Sequence, residues 1–180
     1  MQAVRGFVGN GLPRLCERAA GPGNEELVAA LVEATKRHYA AEPVARSRMY
    51  PMTREMLLDL RRLKVATAVL TNKDEDLARL VAKGLGFDRL LDALRGARPG
   101  VPLKPDPAAL LALRDELNAA EVFMVGDGVP DWQVAEAAGA RFIGVAWGQL
   151  PVEALGQHGP VARGAGEIVR LVQQMASSEI

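Results

Sequence analysis

The stretch Val122-Phe123-Met124-Val125-Gly126-Asp127-Gly128-Val129-Pro130-Asp131 decides the fold. Four apolar residues run without alternation into a glycine-flanked turn bearing two carboxylates. An unbroken apolar run of this kind fits a strand buried on both faces, as in parallel sheets covered by helices. Such a strand carries its following loop to the carboxyl edge of the sheet, where open α/β folds bind ligands. The question for the rest of the chain is what it brings to Asp127.

The neighbouring segments repeat the pattern. Val65 to Leu70 reads as a second buried strand, ending in Thr71-Asn72-Lys73. Asp74 can cap the helix after it (Leu77, Leu80, Val81), which stops at Gly84 or Gly86. A looser segment from Leu90-Leu91 to Gly100 leads to Lys104-Pro105-Asp106-Pro107, where Asp106 as cap and Pro107 as first helical residue open a helix through Leu117. Downstream of the opening strand lie a helix from about Asp131 to Ala138, a strand from Phe142 to Ala146 and an amphipathic helix from Glu167 to Met175. Strands alternating with helices imply right-handed crossovers and an α/β fold: a Rossmann-like parallel sheet with helices on both faces.

The amino-terminal part differs. Pro13 suits the start of a helix ending near Ala20, Gly21-Pro22-Gly23 breaks it, and Asn24 can cap a second helix whose first turn holds Glu25 and Glu26. Val28, Leu31, Val32, Thr35 and Tyr39 form one stripe at helical spacing. Two helices this short need another surface to pack on. Residues 1–48 therefore read as a small helical unit and residues 49–180 as the α/β core. The core opens with a helix that Thr53 can cap and that carries Met56, Leu57, Leu60 and Leu63 on one face.

Composition narrows the function classes. The chain has 180 residues, 49% hydrophobic, with 22 basic and 22 acidic residues, so formal charge is zero and a basic footprint for nucleic acid is missing. Cys16 is the single cysteine, which excludes an internal disulfide and a thiol metal cluster. No apolar run approaches a membrane span, and the start has no basic-then-apolar signal pattern. These features read as a soluble cytoplasmic protein.

Thr71-Asn72, Asp127 and Asp131 fall at strand carboxyl ends, and Lys104 lies in the proline-bearing segment before a helix. Asp127 and Asp131 suit a hard divalent cation, most naturally Mg²⁺. Asp131 fits equally well as a cap of the helix before Trp132, whereas an idle carboxylate at a strand end is costly, which favours Asp127 as the ligand. Thr71 and Asn72 offer a hydroxyl and backbone N–H groups just before a helix start, an anion site or simple turn chemistry. Lys104, stiffened by two following prolines, can neutralise a phosphate and a carboxylate together, or can be an ordinary solvated lysine. Lys73 reads as the solvated kind and His38 as a surface or packing histidine. Gly126-Asp127-Gly128 alone is a poor nucleotide loop, because the third glycine and the later ribose-binding acid are lacking and Pro130 removes an N–H.

Together these segments resemble the haloacid dehalogenase-like hydrolases, phosphoglycolate phosphatases in particular, along essentially the whole chain. Val69-Leu70-Thr71-Asn72-Lys73 resembles the family's second motif, Lys104-Pro105-Asp106-Pro107 the third, and Val125-Gly126-Asp127-Gly128-Val129-Pro130-Asp131 with Ala137-Ala138-Gly139 the fourth. Val4-Arg5-Gly6-Phe7-Val8-Gly9-Asn10-Gly11 resembles the entry to a helical cap, so residues 1–48 would be a partial cap with Arg5, Gly9 and Asn10 near the site. The resemblance implies phosphate binding by Thr71, Asn72 and Lys104, Mg²⁺ binding by Asp127 with Asp131 in support, and hydrolysis of a small phosphorylated metabolite, 2-phosphoglycolate first among candidates. Gly128 stands where the family usually has serine.

The family's first motif, Asp-x-Asp-Gly-Thr, does not occur in these 180 residues. Its first Asp is the nucleophile and its second the general acid and base. The strand that carries it is central, between the strands ending at Thr71 and at Asp127. Its loss would leave two apolar edges and a phosphate and metal cradle with nothing to attack. Two expectations follow: a phosphatase whose start is misplaced or whose gene is truncated, inactive as this chain, or a non-catalytic phosphate- and Mg²⁺-binding or regulatory protein derived from one.

Overall fold

The computed structural model describes residues 9–177. Two helices come first, α1 (Leu12–Ala20) and α2 (Glu25–Ala41), followed by α3 (Thr53–Arg62). The alternating part runs β1 (Ala68–Asp74), α4 (Glu75–Gly84), β2 (Ala93–Ala97), α5 (Ala108–Glu116), β3 (Phe123–Gly126), α6 (Val129–Ala138) and β4 (Arg141–Val145). A four-residue helix α7 (Val152–Leu155), a two-residue strand β5 (Val161–Ala162) and α8 (Ala165–Ala176) complete it. The expected α/β architecture with parallel pairing is present.

The strands form two parallel sheets, β1-β2 and β3-β4-β5. No ladder joins β1 to β3, and no strand of the described residues lies between them. Helices hold the two sheets together instead. On one face, Leu110 of α5 packs with Met124, Val134, Ala135, Phe142 and Leu155, and Leu70 of β1 packs against the same cluster. On the other face, Leu60 of α3 joins Ile143, Val145, Ala162, Ile168 and Val172, while Arg54 and Arg61 of α3 donate to the carbonyls of Gly86 and Arg89 beside the β1-β2 sheet. Alternation along β4 puts Phe142 on the α6 side and Ile143 and Val145 on the α8 side, which is how one strand serves two cores.

Several local expectations shift. Met52, in a left-handed conformation at φ 63°, stands at the cap of α3; Thr53 is the first helical residue, and no side chain caps this end. Leu63 is exposed rather than part of the buried face. Asn24 holds the cap position of α2 without a side-chain cap bond. The Asp106 carboxylate accepts the Ala108 N–H at 2.9 Å, so α5 starts at Ala108 and Pro107 occupies the cap. Strand β2 replaces the expected looser segment, and α7 and β5 were not foreseen. Asp74 does cap α4, accepting from the Leu77 N–H at 3.3 Å.

The stripe on α2 is the half-buried side of that helix, and α2 touches α1 and α4. Lys36 on the same side reaches Asp74 at 2.8 Å, and Tyr39 meets Lys73, whose Nζ lies 2.9 Å from the phenol oxygen and 4.0 Å from the ring centroid. Lys73 is therefore engaged rather than freely solvated, while His38 is exposed, as expected.

Candidate active site

The carboxyl ends of β1 and β3 converge through Lys104. Its Nζ lies 2.8 Å from the Leu70 carbonyl at the β1 edge and 2.6 Å from Asp131 Oδ1 at the start of α6. Both partners of this ion pair are nearly buried, with side-chain exposures of 10% and 12%. An ammonium held this way is a fixed charge, and fixed charges aimed at an anion need no rearrangement when it arrives.

Asn72 holds the other end of Lys104. The residue is 7% exposed. Its Nδ2 donates to the Lys104 carbonyl at 3.0 Å and to the Gly9 carbonyl at 2.9 Å, and its Oδ1 accepts the Lys104 N–H at 2.9 Å. The Thr71 hydroxyl oxygen accepts the Lys73 N–H at 3.2 Å, which leaves its own proton available for an anion.

Asp131 spends its second oxygen locally, accepting the N–H groups of Asp127 and Gly128, each at 3.0 Å. It thus closes the loop that begins α6 and pairs with Lys104 at once. Asp127 is held from the β4 side: its Oδ2 accepts the Gln149 N–H at 2.9 Å, and its carbonyl accepts the Leu150 N–H at 3.2 Å. The approach is so close that a Cβ on Gly148 would fall 2.0 Å from the Asp127 Cβ, and one on Gly126 would fall 2.3 Å from the Asp131 Cβ. Glycine at both positions is a condition for the two carboxylates to sit where they do.

Among the described residues no three His, Cys, Asp or Glu side chains converge as a metal cluster. With one Asp127 oxygen taken by an N–H and both Asp131 oxygens engaged, the chain offers one well-placed carboxylate to a cation. Magnesium usually keeps several waters and takes one or two carboxylates together with substrate phosphate oxygens, so a single carboxylate beside an anion site fits it.

The structure thus brings Asn72, Lys104, Asp131, Asp127 and Gly9 into one chain of contacts, with Thr71 beside Asn72 on β1. Asn10 is exposed next to Gly9, with no bond to this chain of contacts. Arg5 lies outside the described residues. Gln149 and Gly148 carry no signal in the sequence, because they act through a backbone N–H and a missing side chain.

Comparison with known proteins places the chain in a family. Residues 2–139 match the family model for hydrolases of the haloacid dehalogenase-like type. The chain belongs to the haloacid dehalogenase-like hydrolases. It is 34% identical over 162 residues to a phosphoglycolate phosphatase of Cereibacter sphaeroides, covering 87% of this chain and 74% of that protein. A phosphoglycolate phosphatase of Rhodospirillum rubrum is 34% identical over 167 residues, covering 86% and 69%. Among solved structures, a predicted phosphoglycolate phosphatase from Haemophilus somnus 129pt superposes with a TM-score of 0.85 at 22% identity, over 94% of this chain and 81% of that one. A predicted phosphatase from Clostridium acetobutylicum gives 0.81 at 18% identity, over 96% and 82%. These two superpositions speak for the fold.

Within this haloacid dehalogenase-like chain the one literal Asp-x-Asp triplet is Asp74-Glu75-Asp76, which continues into Leu77 rather than Gly-Thr. The structure gives it other work. Asp74 caps α4 and pairs with Lys36; burial pushes its carboxyl up, but the Lys36 ammonium and the Leu77 and Asp76 N–H groups outweigh that and hold it below the usual range. Bonding to Asp74 raises the Lys36 ammonium in turn. Glu75 is 2% exposed and clamps the β1-β2 sheet, accepting from the Gly96 N–H at 3.1 Å, from Arg79 at 2.6 Å and from Arg98. Burial raises its carboxyl as well, and the Gly96 N–H with the two guanidiniums overcomes that to leave it lowered.

Both tryptophans flank the site. Trp132 follows Asp131 and stacks on His158 at 3.7 Å between ring centroids. Trp147 precedes Gly148 and meets Tyr50, whose ring centroid is 5.9 Å away and whose hydroxyl reaches the Trp147 carbonyl at 3.4 Å.

Proposed function

We propose that this chain carries the phosphate- and magnesium-binding part of a phosphomonoesterase for a small phosphorylated metabolite, with 2-phosphoglycolate the leading candidate substrate. The observation that carries the reading is Lys104, fixed by Asn72 at its backbone and by Leu70 and Asp131 at its ammonium. The relatives named as phosphoglycolate phosphatases support the choice of substrate.

In this reading the Thr71 hydroxyl and nearby backbone N–H groups orient the phosphate, and Lys104 neutralises it while remaining paired with Asp131. Asp127 holds Mg²⁺, which would screen the phosphate charge when bound. The α1–α2 pair is a partial cap, resting on the segment after Thr71-Asn72 through Lys36–Asp74 and Tyr39–Lys73. The nucleophilic Asp of the family's first motif is not among these 180 residues, so the chain by itself binds phosphate without hydrolysing esters.

The test is calorimetric titration of the 180-residue chain with inorganic phosphate, with and without Mg²⁺, beside a hydrolysis assay on 2-phosphoglycolate. Binding that Mg²⁺ strengthens and that Lys104→Ala abolishes, without turnover, is the expected result. No phosphate binding in the folded wild-type chain would end the reading. The non-catalytic alternative shares this binding chemistry, and the codons in frame before Met1 separate the two: an Asp-x-Asp-Gly-Thr sequence there marks an enzyme, and its lack marks a binding protein.

A further inference from the structure

The sequence pattern points to Asn72 as part of an anion site, but its side-chain amide is consumed before any ligand arrives. Both N–H donors and one acceptor position are satisfied by protein, and the group is buried. Its partners are informative. Two of its three bonds go to the N–H and C=O of a single residue, Lys104, in the manner of a backbone ladder made by a side chain. The third goes to the carbonyl of Gly9, 63 positions away in sequence, on the segment that leads into α1.

Lys104 therefore lies along the β1 edge with two anchor points. Its backbone is fastened to the side chain of Asn72, and its ammonium is fastened to the carbonyl of Leu70, two residues earlier on the same strand, and to Asp131. With the backbone anchor removed, the flexible lysine stem has only its tip held, and a long side chain held at one end regains rotamer freedom. The Gly9 bond adds a second consequence, because the same amide plane serves the segment before α1 and the Lys104 backbone. Neither can shift without breaking bonds to the other's holder.

We propose that Asn72 is a positioning residue, its side-chain amide fixing Lys104 against the segment that leads into α1. The role rests on the reading of Lys104 as the phosphate-binding cation, yet it can be tested apart from it. Substitution by Asp is the sharper variant: it keeps an acceptor for the Lys104 N–H but sets a carboxylate oxygen against the Gly9 and Lys104 carbonyls where a donor is needed.

The experiment is lysine footprinting of the full 180-residue chain by pulsed acetylation and mass spectrometry, on wild type, N72A and N72D, each with and without inorganic phosphate. Thermal unfolding of each variant is followed alongside. In wild type Lys104 is expected to label slowly. In N72A and N72D it labels about tenfold faster, with N72D at least equal to N72A, while Lys64 and Lys83 label as in wild type and unfolding stays cooperative. Hydrogen exchange in the peptide spanning Gly9 to Leu12 rises in the same variants. Lys104 labelling within twofold of wild type in both folded variants overturns the proposal, as does faster labelling of all lysines together, which marks general loosening. If N72A does not fold, N72S is read by the same criteria. Phosphate enters as a separate arm: if it fails to protect Lys104 in wild type, the phosphate reading falls while the labelling response to N72A and N72D still decides the role of Asn72.

Discussion

The two half-sheets are built on different physics. The β3-β4-β5 half is held by apolar burial: Ile143, Leu155, Val134 and Ala162 are all at 0% exposure, and helices cover both faces. The β1-β2 half has a thin core of Ala78, Ala82 and Leu94, and polar clamps close it at both ends. At the amino end the Thr67 N–H donates to the Asp92 carboxylate at 2.7 Å, and the Asp92 N–H to the Thr67 carbonyl at 2.8 Å. At the carboxyl end Glu75 gathers Gly96, Arg79 and Arg98. Apolar packing tolerates small shifts in geometry and is indifferent to pH. A carboxylate clamp is neither. The phosphate-binding candidate Thr71 and the positioning residue Asn72 sit on the clamped half and Asp127 on the packed half, so the candidate site spans both kinds of support.

Truncation should be felt most severely in the packed half. Ile143→Ala should destabilise the chain by about 3–4 kcal/mol, measured by urea unfolding, because the emptied volume lies in a core shared by α3, α8 and β4. Glu75→Ala should cost about 2–3 kcal/mol and act locally, leaving the Gly96 N–H unpaired and two guanidiniums without their acceptor. Amide exchange should rise in β1 and β2 and stay unchanged in β4; uniform acceleration would erase the distinction between the halves. Gly148→Ala should cost about 1–2 kcal/mol as the 147–149 loop moves off Asp127. With the Gln149 N–H displaced, the Mg²⁺ dissociation constant of the phosphate-loaded chain should rise about tenfold by calorimetry.

The smallest effect concerns the contact between α2 and the β1-β2 half. Asp74 has a lowered native pKa, so its pairing with Lys36 contributes fully above the ordinary Asp value of about 4 and is lost as pH falls through the lower native value. Lys36 is raised, so the same contact holds below the ordinary Lys value of about 10.4 and is lost only as pH rises through the higher native value. Lys36 is well exposed, so the whole contribution is at most about 1 kcal/mol. Acid titration should raise exchange in α2 before it touches α8, and Lys36→Met should remove that early step.

The packed half was also the more legible half, α7 and β5 excepted. Val122 to Val125 and Phe142 to Ala146 read as buried strands from their apolar runs, and both appear within one residue of the expected bounds; β4 is buried as expected, whereas in β3 only Met124 is buried and Val125 is exposed. Strand β2 was hidden because Ala93-Leu94-Arg95-Gly96-Ala97 has no β-branched or aromatic residue; it is a strand through its pairing with β1, a tertiary fact. In the candidate site, Asp127 could be picked out because an idle carboxylate at a strand end is costly, Lys104 because two prolines stiffen its backbone, and Asn72 because it precedes a helix start, while Asp131 read equally well as a helix cap. That Asn72 holds Lys104 rather than facing a ligand could not be picked out, since its partners are backbone atoms 32 and 63 positions away.

The placement of the two tryptophans gives the chain a built-in optical reporter. Trp132 and Trp147 are the only indoles in 180 residues. One adjoins Asp131 and stacks on His158, and the other adjoins Gly148 and rests on Tyr50 in the segment between α2 and α3. Every photon of tryptophan emission therefore originates beside one of the two aspartates, and Trp147→Phe and Trp132→Phe variants would divide the signal between the α6 start and the Asp127-holding loop without any attached dye.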